Sequence, residues 1–154
     1  MLTDHDKQEI QAELARTPSR RGALIEALRV VQRRAGWVCD ADVVEGAAFL
    51  GLPVSQVEDV ATFYSMIFRQ EVGRHVILLC DSVSCWVNRA DALLTHLRSR
   101  LGIRLGQTTA DGRFTLLPAA CLGACDRGPV MKVDEDLHTH LTAEKIDRIL
   151  ESYP

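Results

Sequence analysis
The sequence is poor in aromatic residues, at 5% of the chain, which argues against stacking platforms for single-stranded nucleic acid. It has no run of basic residues and its net charge is −3, so no nucleic-acid partner is expected. No apolar stretch reaches the ~20 residues of a membrane-spanning helix, so direct membrane insertion is not expected. The opening residues, Met1-Leu2-Thr3-Asp4-His5-Asp6, are polar and acidic and lack an apolar secretory core. A cytoplasmic location follows as the expectation. There is no G-x-G-x-x-G fingerprint for a dinucleotide and no C-x-x-C motif of the thioredoxin redox type.

What the chain does have is apolar material and cysteine. Of its 154 residues 47% are hydrophobic, enough for one domain or two small ones. Five cysteines in a reducing compartment point to metal or redox chemistry rather than a disulfide framework. Four of them form two pairs, Cys80-Asp81-Ser82-Val83-Ser84-Cys85 and Cys121-Leu122-Gly123-Ala124-Cys125. Each pair follows an apolar run, His75–Leu79 and Phe114–Leu117, that reads as a buried strand. Two rigid strands would thus present two thiol-bearing loops toward one centre, and four thiolates complete an iron–sulfur cluster or a structural zinc site.

The first half reads as helices. Thr3 with Asp6 has capping spacing, and Ile10 and Leu14 share a face. Residues 21–35 carry Leu24, Leu28, Val31 and Ala35 at helical spacing and stop at Gly36. Asp40 is the expected cap of a third helix with Val43, Val44, Ala47 and Ala48 inward. Ser55 and Glu58 have capping-box spacing for a fourth through Val57, Val60, Ala61 and Tyr64. Arg29, Arg33 and Arg34, like Asp40, Asp42 and Glu45, are expected on solvated faces. The stretch from Ala61 to Phe68 carries more apolar surface than one helix end needs. Part of it reads as core and part as a contact with another polypeptide or domain.

The periodicity changes near Gly73, which sets the expected boundary between a helical bundle over 1–72 and a second domain over 73–154. There, strands are expected over 75–80, 103–109, 114–117, 130–133 and 137–141. Asp111-Gly112 is a hairpin turn, and Pro118 is expected to break the ladder. Asn88 is the expected cap of a helix running to Arg100, and Thr142 that of a last helix with Ile146, Ile149, Leu150 and Tyr153 inward. Together these make an α+β chain, a small mixed sheet with helices packed on it.

The spacing leaves three candidates for the cysteines. In order they are an iron–sulfur centre, a zinc-stabilised interaction module, and thiol–disulfide chemistry. Zinc ribbons favour two C-x₂-C knuckles, and plant-type ferredoxins C-x₄-C-x₂-C; neither is present. Gly123 would let backbone amides approach cluster sulfides. Val83, Trp86, Leu122 and Pro129 are candidates to exclude water. Met131 reads as core, and all five histidines as structural or surface residues.

Asp111-Gly112-Arg113-Phe114-Thr115, followed by Cys121-Leu122-Gly123-Ala124-Cys125 and Gly128-Pro129, resembles the signature of the thioredoxin-like [2Fe–2S] ferredoxins. Cys80 and Cys85 stand at that family's upstream spacing. Val60–Ser65, Phe68-Arg69-Gln70 and Gly73–Ile77 are similar, within the family, to the E-type branch found in bacterial NADH:quinone oxidoreductases, the respiratory complex I. The resemblance implies a helical bundle followed by a thioredoxin-like α/β domain. It implies Cys80, Cys85, Cys121 and Cys125 as ligands of one [2Fe–2S] cluster, with no catalytic residue and no substrate turnover by this chain alone. It further implies FMN and NADH on a partner, the flavin-bearing, NADH-binding subunit of the complex. The expected setting is the peripheral arm of a proton-translocating complex, on the cytoplasmic side of the inner membrane, with one electron stored transiently. NAD-linked formate dehydrogenases and bidirectional hydrogenases share the module and are the alternative. Cys39 stands where the family commonly has proline, and is not expected to be a ligand.

Overall fold
The computed structural model describes residues 2–154 as two compact units that divide between Glu71 and Val72.

The first unit holds α1 (Asp4–Arg16), α2 (Leu24–Ala35), α3 (Asp40–Leu50) and α4 (Val54–Phe63). In α1 the Asp6 amide donates to Thr3 Oγ1 at 3.1 Å, and the Thr3 amide donates back to Asp6 Oδ2 at 2.8 Å, closing a capping box. Helix α2 buries Leu24, Ala27, Leu28 and Val31, spaced along one stripe, and Gly36 ends it in the left-handed region. These side chains meet Ile10, Val38, Val43, Ala47, Leu50 and Val57 in one core.

Three helix starts or faces differ from expectation. The N-cap of α3 is Cys39, not Asp40. Its thiol donates to Asp42 Oδ2 at 3.0 Å, while its amide lies 3.3 Å from the same oxygen. This draws the Asp42 carboxylate inward, where Arg34 stands 3.9 Å away. The helix is thereby turned so that Val43, Ala47 and Leu50 face the core, and Val44 and Ala48 do not. Asp42 and Arg34 are therefore not simply solvated. Helix α4 starts at Val54 behind Pro53, whose extended backbone sets the start one turn before Glu58, so Ser55 lies inside the helix and caps nothing.

The segment after α4 is tied down by side chains of the same unit. Gln32 Nε2 donates to the Met66 carbonyl at 2.9 Å, and the Phe68 amide donates to Gln32 Oε1 at 2.6 Å. Arg69 donates to the Val38 carbonyl, to Asp40 at 2.7 Å and to Glu58 at 2.9 Å. Ile67 goes into the core, whereas Phe63 is 79% exposed with Tyr64 and Met66 beside it.

The second unit is a five-stranded sheet in the order β2-β3-β1-β4-β5. Its strands are β1 (His75–Cys80), β2 (Gln107–Thr108), β3 (Phe114–Ala119), β4 (Met131–Val133) and β5 (Asp136–His138). Central β1 pairs parallel with β3 and antiparallel with β4 and is buried from Val76 to Cys80. A strand covered on both faces needs an unbroken apolar run rather than alternation. Helices α5 (Val83–Val87), α6 (Ala90–Leu101) and α7 (Ala143–Ser152) complete the unit. Ile77, Leu97, Leu116, Met131, Val133 and Ile146 make the core. Thr142 caps α7, accepting from the Lys145 amide at 3.2 Å.

Four expectations fail here, two of them strand bounds: the strand expected over 103–109 is only Gln107–Thr108, and that over 137–141 is Asp136–His138. Asn88 does not open α6. It closes the short α5, its Nδ2 donating to the Ser84 carbonyl at 2.7 Å, and Arg89 in the left-handed region precedes α6. Pro118 does not break the ladder, because β3 continues through it to Ala119, in register with Leu79 and Cys80. The carbonyls of Phe114 and Leu116 point to the β2 side, accepting from Thr109 and Gly106, so Pro118 turns its donor-less nitrogen that way. The β2 pairing has already ended at Leu116, and no hydrogen bond is lost.

Candidate metal centre
Cys80 is the last residue of β1, and its amide donates to the Val130 carbonyl at 3.2 Å. The chain then turns through Asp81 and Ser82 into α5, which carries Cys85 on its inward side. Both thiols are 1% exposed, packed with Ala90, Ala124 and Val130. Gly128 lies against the Cys85 sulfur: a β-carbon there would stand 3.6 Å from it. The second pair sits on the loop after β3. Cys121 and Cys125 are exposed, with their sulfurs 3.7 Å apart, and the Gly123 amide donates to Cys121 Sγ at 3.4 Å. Gly123 is left-handed at φ 79°, which folds the loop back on that sulfur.

The thiols stand two and two. Among the described residues, no three His, Cys, Asp or Glu side chains gather around a single-ion position. The pairs nevertheless feel each other. Burial pushes the Cys85 thiol up, and its Cys80 neighbour and the charge of Cys125 add to that. Cys125 is raised first by its contact with Cys121, with Cys80 contributing, while the Ser84 hydroxyl acts the other way. Cys85 and Cys125 are thus both held toward the neutral thiol by burial and by neighbouring sulfur. A core of metal ions would supply a positive charge that favours the thiolates, and on this chemistry Cys80, Cys85, Cys121 and Cys125 would suit a [2Fe–2S] group.

The other candidates separate. Leu122 is half-buried and Pro129 buried against this region, but Val83 is 70% and Trp86 64% exposed, so neither of those two closes the site within this chain. On a helix of five residues only the Cys85 side can face inward. Ser84, whose hydroxyl acts on Cys125, is not legible as a site neighbour in the sequence, because α5 is too short to show a period. Cys39 lies in the helical unit, bonded to Asp42. Met131 is core. Of the histidines, His75 bonds Asp134 at 2.7 Å, His96 bonds Asp147 at 2.9 Å, and His5 pairs with Glu9 at 3.2 Å. His138 reaches the Tyr153 hydroxyl at 3.3 Å, and burial lowers its pKa; His140 is exposed.

The family model for thioredoxin-like [2Fe-2S] ferredoxins matches residues 10–154. The E subunit of NADH-quinone oxidoreductase of Escherichia coli (strain K12) is 52% identical over 152 residues, 99% of this chain and 92% of that protein. The protein of the same name from Pseudomonas aeruginosa is 45% identical over 153 residues, again covering 99% and 92%. Among solved structures, a chain of an NAD+-reducing [NiFe]-hydrogenase in the H2-reduced state superposes with a TM-score of 0.74 at 28% identity. That match covers 89% of this chain but only 23% of the hydrogenase chain. With the two-plus-two thiol arrangement at the strand ends, these matches establish that the chain belongs to the thioredoxin-like [2Fe-2S] ferredoxin family.

Proposed function
We propose that the chain is the electron-transfer subunit of a proton-translocating NADH:quinone oxidoreductase, respiratory complex I, and that Cys80, Cys85, Cys121 and Cys125 hold its one [2Fe–2S] cluster. The observation that carries this reading is the arrangement of thiols as two pairs, one at the end of β1 and one on the loop after β3. When bound, the cluster takes up and releases one electron at a time. The chain's residues set its surroundings: Cys80 and Cys85 keep one side dry, and the Gly123 amide already donates to a ligand sulfur on the other.

NADH and FMN belong, in this proposal, to a partner, the flavin-bearing, NADH-binding subunit of the complex, and this chain turns over no substrate alone. The 45–52% identity over nearly the whole chain favours complex I over the hydrogenase alternative, whose match is weaker and spans a fraction of a longer polypeptide. Among the described residues no helix is long and apolar enough to cross a membrane, which suits a peripheral arm. We place that arm on the cytoplasmic side of the inner membrane, among the other peripheral subunits.

The test is the metal. Chain purified without oxygen is expected to hold iron and acid-labile sulfide in equal amounts, with visible absorbance and a rhombic EPR signal after dithionite. A colourless chain with one zinc overturns the reading.

The partner is expected to cover the apolar side chains this chain leaves out. Val83, Trp86 and Val87 stand on the helix that carries Cys85, where a redox partner must come close. Phe63, Tyr64 and Met66 are held outward by the Gln32 and Arg69 bonds, so little ordering entropy is lost on contact. Binding of the flavin-bearing partner should slow amide exchange over Phe63–Phe68 and shift Trp86 emission to shorter wavelength. Unchanged exchange and emission would leave both stretches as plain surface.

A further inference from the structure
The two thiol pairs differ in access far more than in chemistry. Cys80 and Cys85 are 1% exposed, one at the end of the central strand and one inside α5 with Gly128 against its sulfur. Cys121 and Cys125 are exposed, on a loop whose Gly123 has no atom within 4 Å of the place a side chain would occupy. Their sulfurs are 3.7 Å apart. A disulfide needs ~2.05 Å, so the loop must close by roughly 1.7 Å. A loop pivoting at a glycine in open space can absorb that shift, whereas a paired strand and a packed helix resist it.

We infer that in the cluster-free chain Cys121 and Cys125 form a redox-sensitive dithiol, which small-molecule disulfides convert to an intramolecular disulfide while Cys80 and Cys85 remain thiols. The reaction is two-step exchange. One outer sulfur, as thiolate, attacks a small disulfide RSSR, forming a mixed disulfide and releasing one RSH. The second outer thiol then attacks the protein sulfur of that mixed disulfide and releases the second RSH. The protein loses two electrons, RSSR gains them, and the two thiol protons leave on the two RSH molecules. The product has only two free ligand thiols of four, so it cannot take up a cluster until a dithiol reductant reopens the bond. The inference rests on the reading of these four cysteines as ligands, and it adds a reversible block on reassembly after cluster loss.

The experiment starts from the full chain, purified with its iron and then stripped anaerobically by a chelator. It is incubated with oxidised glutathione, denatured in acid, alkylated and digested. The peptide holding Cys121 and Cys125 is expected to lack two hydrogens and carry no alkyl group, while Cys80 and Cys85 are alkylated. Iron and sulfide should restore the visible absorbance only after dithiothreitol. A Cys121→Ser chain should instead keep glutathione on Cys125. The same oxidation in urea gives the unselective reference. A folded pattern equal to that in urea, a bond to Cys80 or Cys85, or four alkylated cysteines overturns the inference. So does reconstitution without reductant. Absence of iron in the starting protein would instead overturn the ligand reading, before any oxidation is attempted.

Discussion

Serine at Cys85 is expected to abolish the visible absorbance and the bound iron, while serine at Cys39 leaves both intact. The two cysteines look alike in composition but sit in opposite settings. Cys85 is buried beside a second thiol, and burial together with that neighbour raises its pKa, favouring the neutral thiol. A bound iron reverses this balance, because its charge stabilises the thiolate. A serine hydroxyl is a much weaker acid and a harder ligand, and nothing exposed can take its place in that dry corner. Serine at Cys80 should act in the same way. At Cys121 or Cys125, where solvent can reach the loop, the cluster should be weakened and lost more slowly. Cys39 serves only its own helix: it caps α3 and donates to Asp42. A serine hydroxyl is among the preferred caps, so Cys39→Ser should hold or slightly raise the stability of the helical unit. Iron per chain and absorbance of the purified variants check this. A Cys85→Ser chain with full iron, or a Cys39→Ser chain without it, would reverse the assignment.

The second large effect lies in the helical unit. Arg34→Ala should destabilise it by about 2–3 kcal/mol, somewhat below the 3–5 kcal/mol typical of breaking a buried ion pair, since Arg34 is 36% exposed. Arg34 Nε donates to Asp6 Oδ2 at 2.8 Å, and its guanidinium stands 3.9 Å from Asp42. Both carboxylates are buried. Burial alone would raise their pKa. At Asp6 the bonds from Thr3 and Arg34 outweigh it, and at Asp42 the thiol and amide of Cys39 do, so both lie below the usual value. A group whose folded pKa is depressed stabilises the fold above its unfolded pKa and loses that contribution as pH falls through the folded value. The native helical unit should therefore hold its stability from neutrality to about pH 5 and weaken progressively below it. In Arg34→Ala the Asp6 carboxylate loses its cation, its pKa rises, and mild acid should cost the variant less than it costs the native chain. Urea unfolding of both proteins at pH 7 and pH 4 measures this. A gap between them that does not narrow toward pH 4 would show that Arg34 acts by packing its stem rather than by its charge.

Much of this was legible in the residues, and the rest was hidden for definite reasons. The run from Val76 to Leu79 announces a buried strand, and Gly36, Gly102 and Thr142 mark helix ends because their chemistry is local. The four paired cysteines stand out by spacing alone. What sequence could not show is which side of each element faces inward when the element is short or bears a buried charge. Helix α5, at five residues, has no period, so Trp86 reads as a shield in the sequence and is surface in the fold. Asp42 reads as solvated because the thiol and guanidinium that hold it are three residues before it and on another helix. The difference in access between the two thiol pairs is likewise set by the strand and the loop that carry them, not by the cysteines.

Pro118 has a further consequence for how such a sheet survives at high concentration. Exposed strand margins are where sheets of separate molecules zip together into aggregates. At the level of Pro118 the margin of β3 is uncovered, yet it offers no amide to an incoming strand. The end of the sheet nearest the second thiol loop thus offers an incoming strand an acceptor but no donor, which weakens backbone-to-backbone association there.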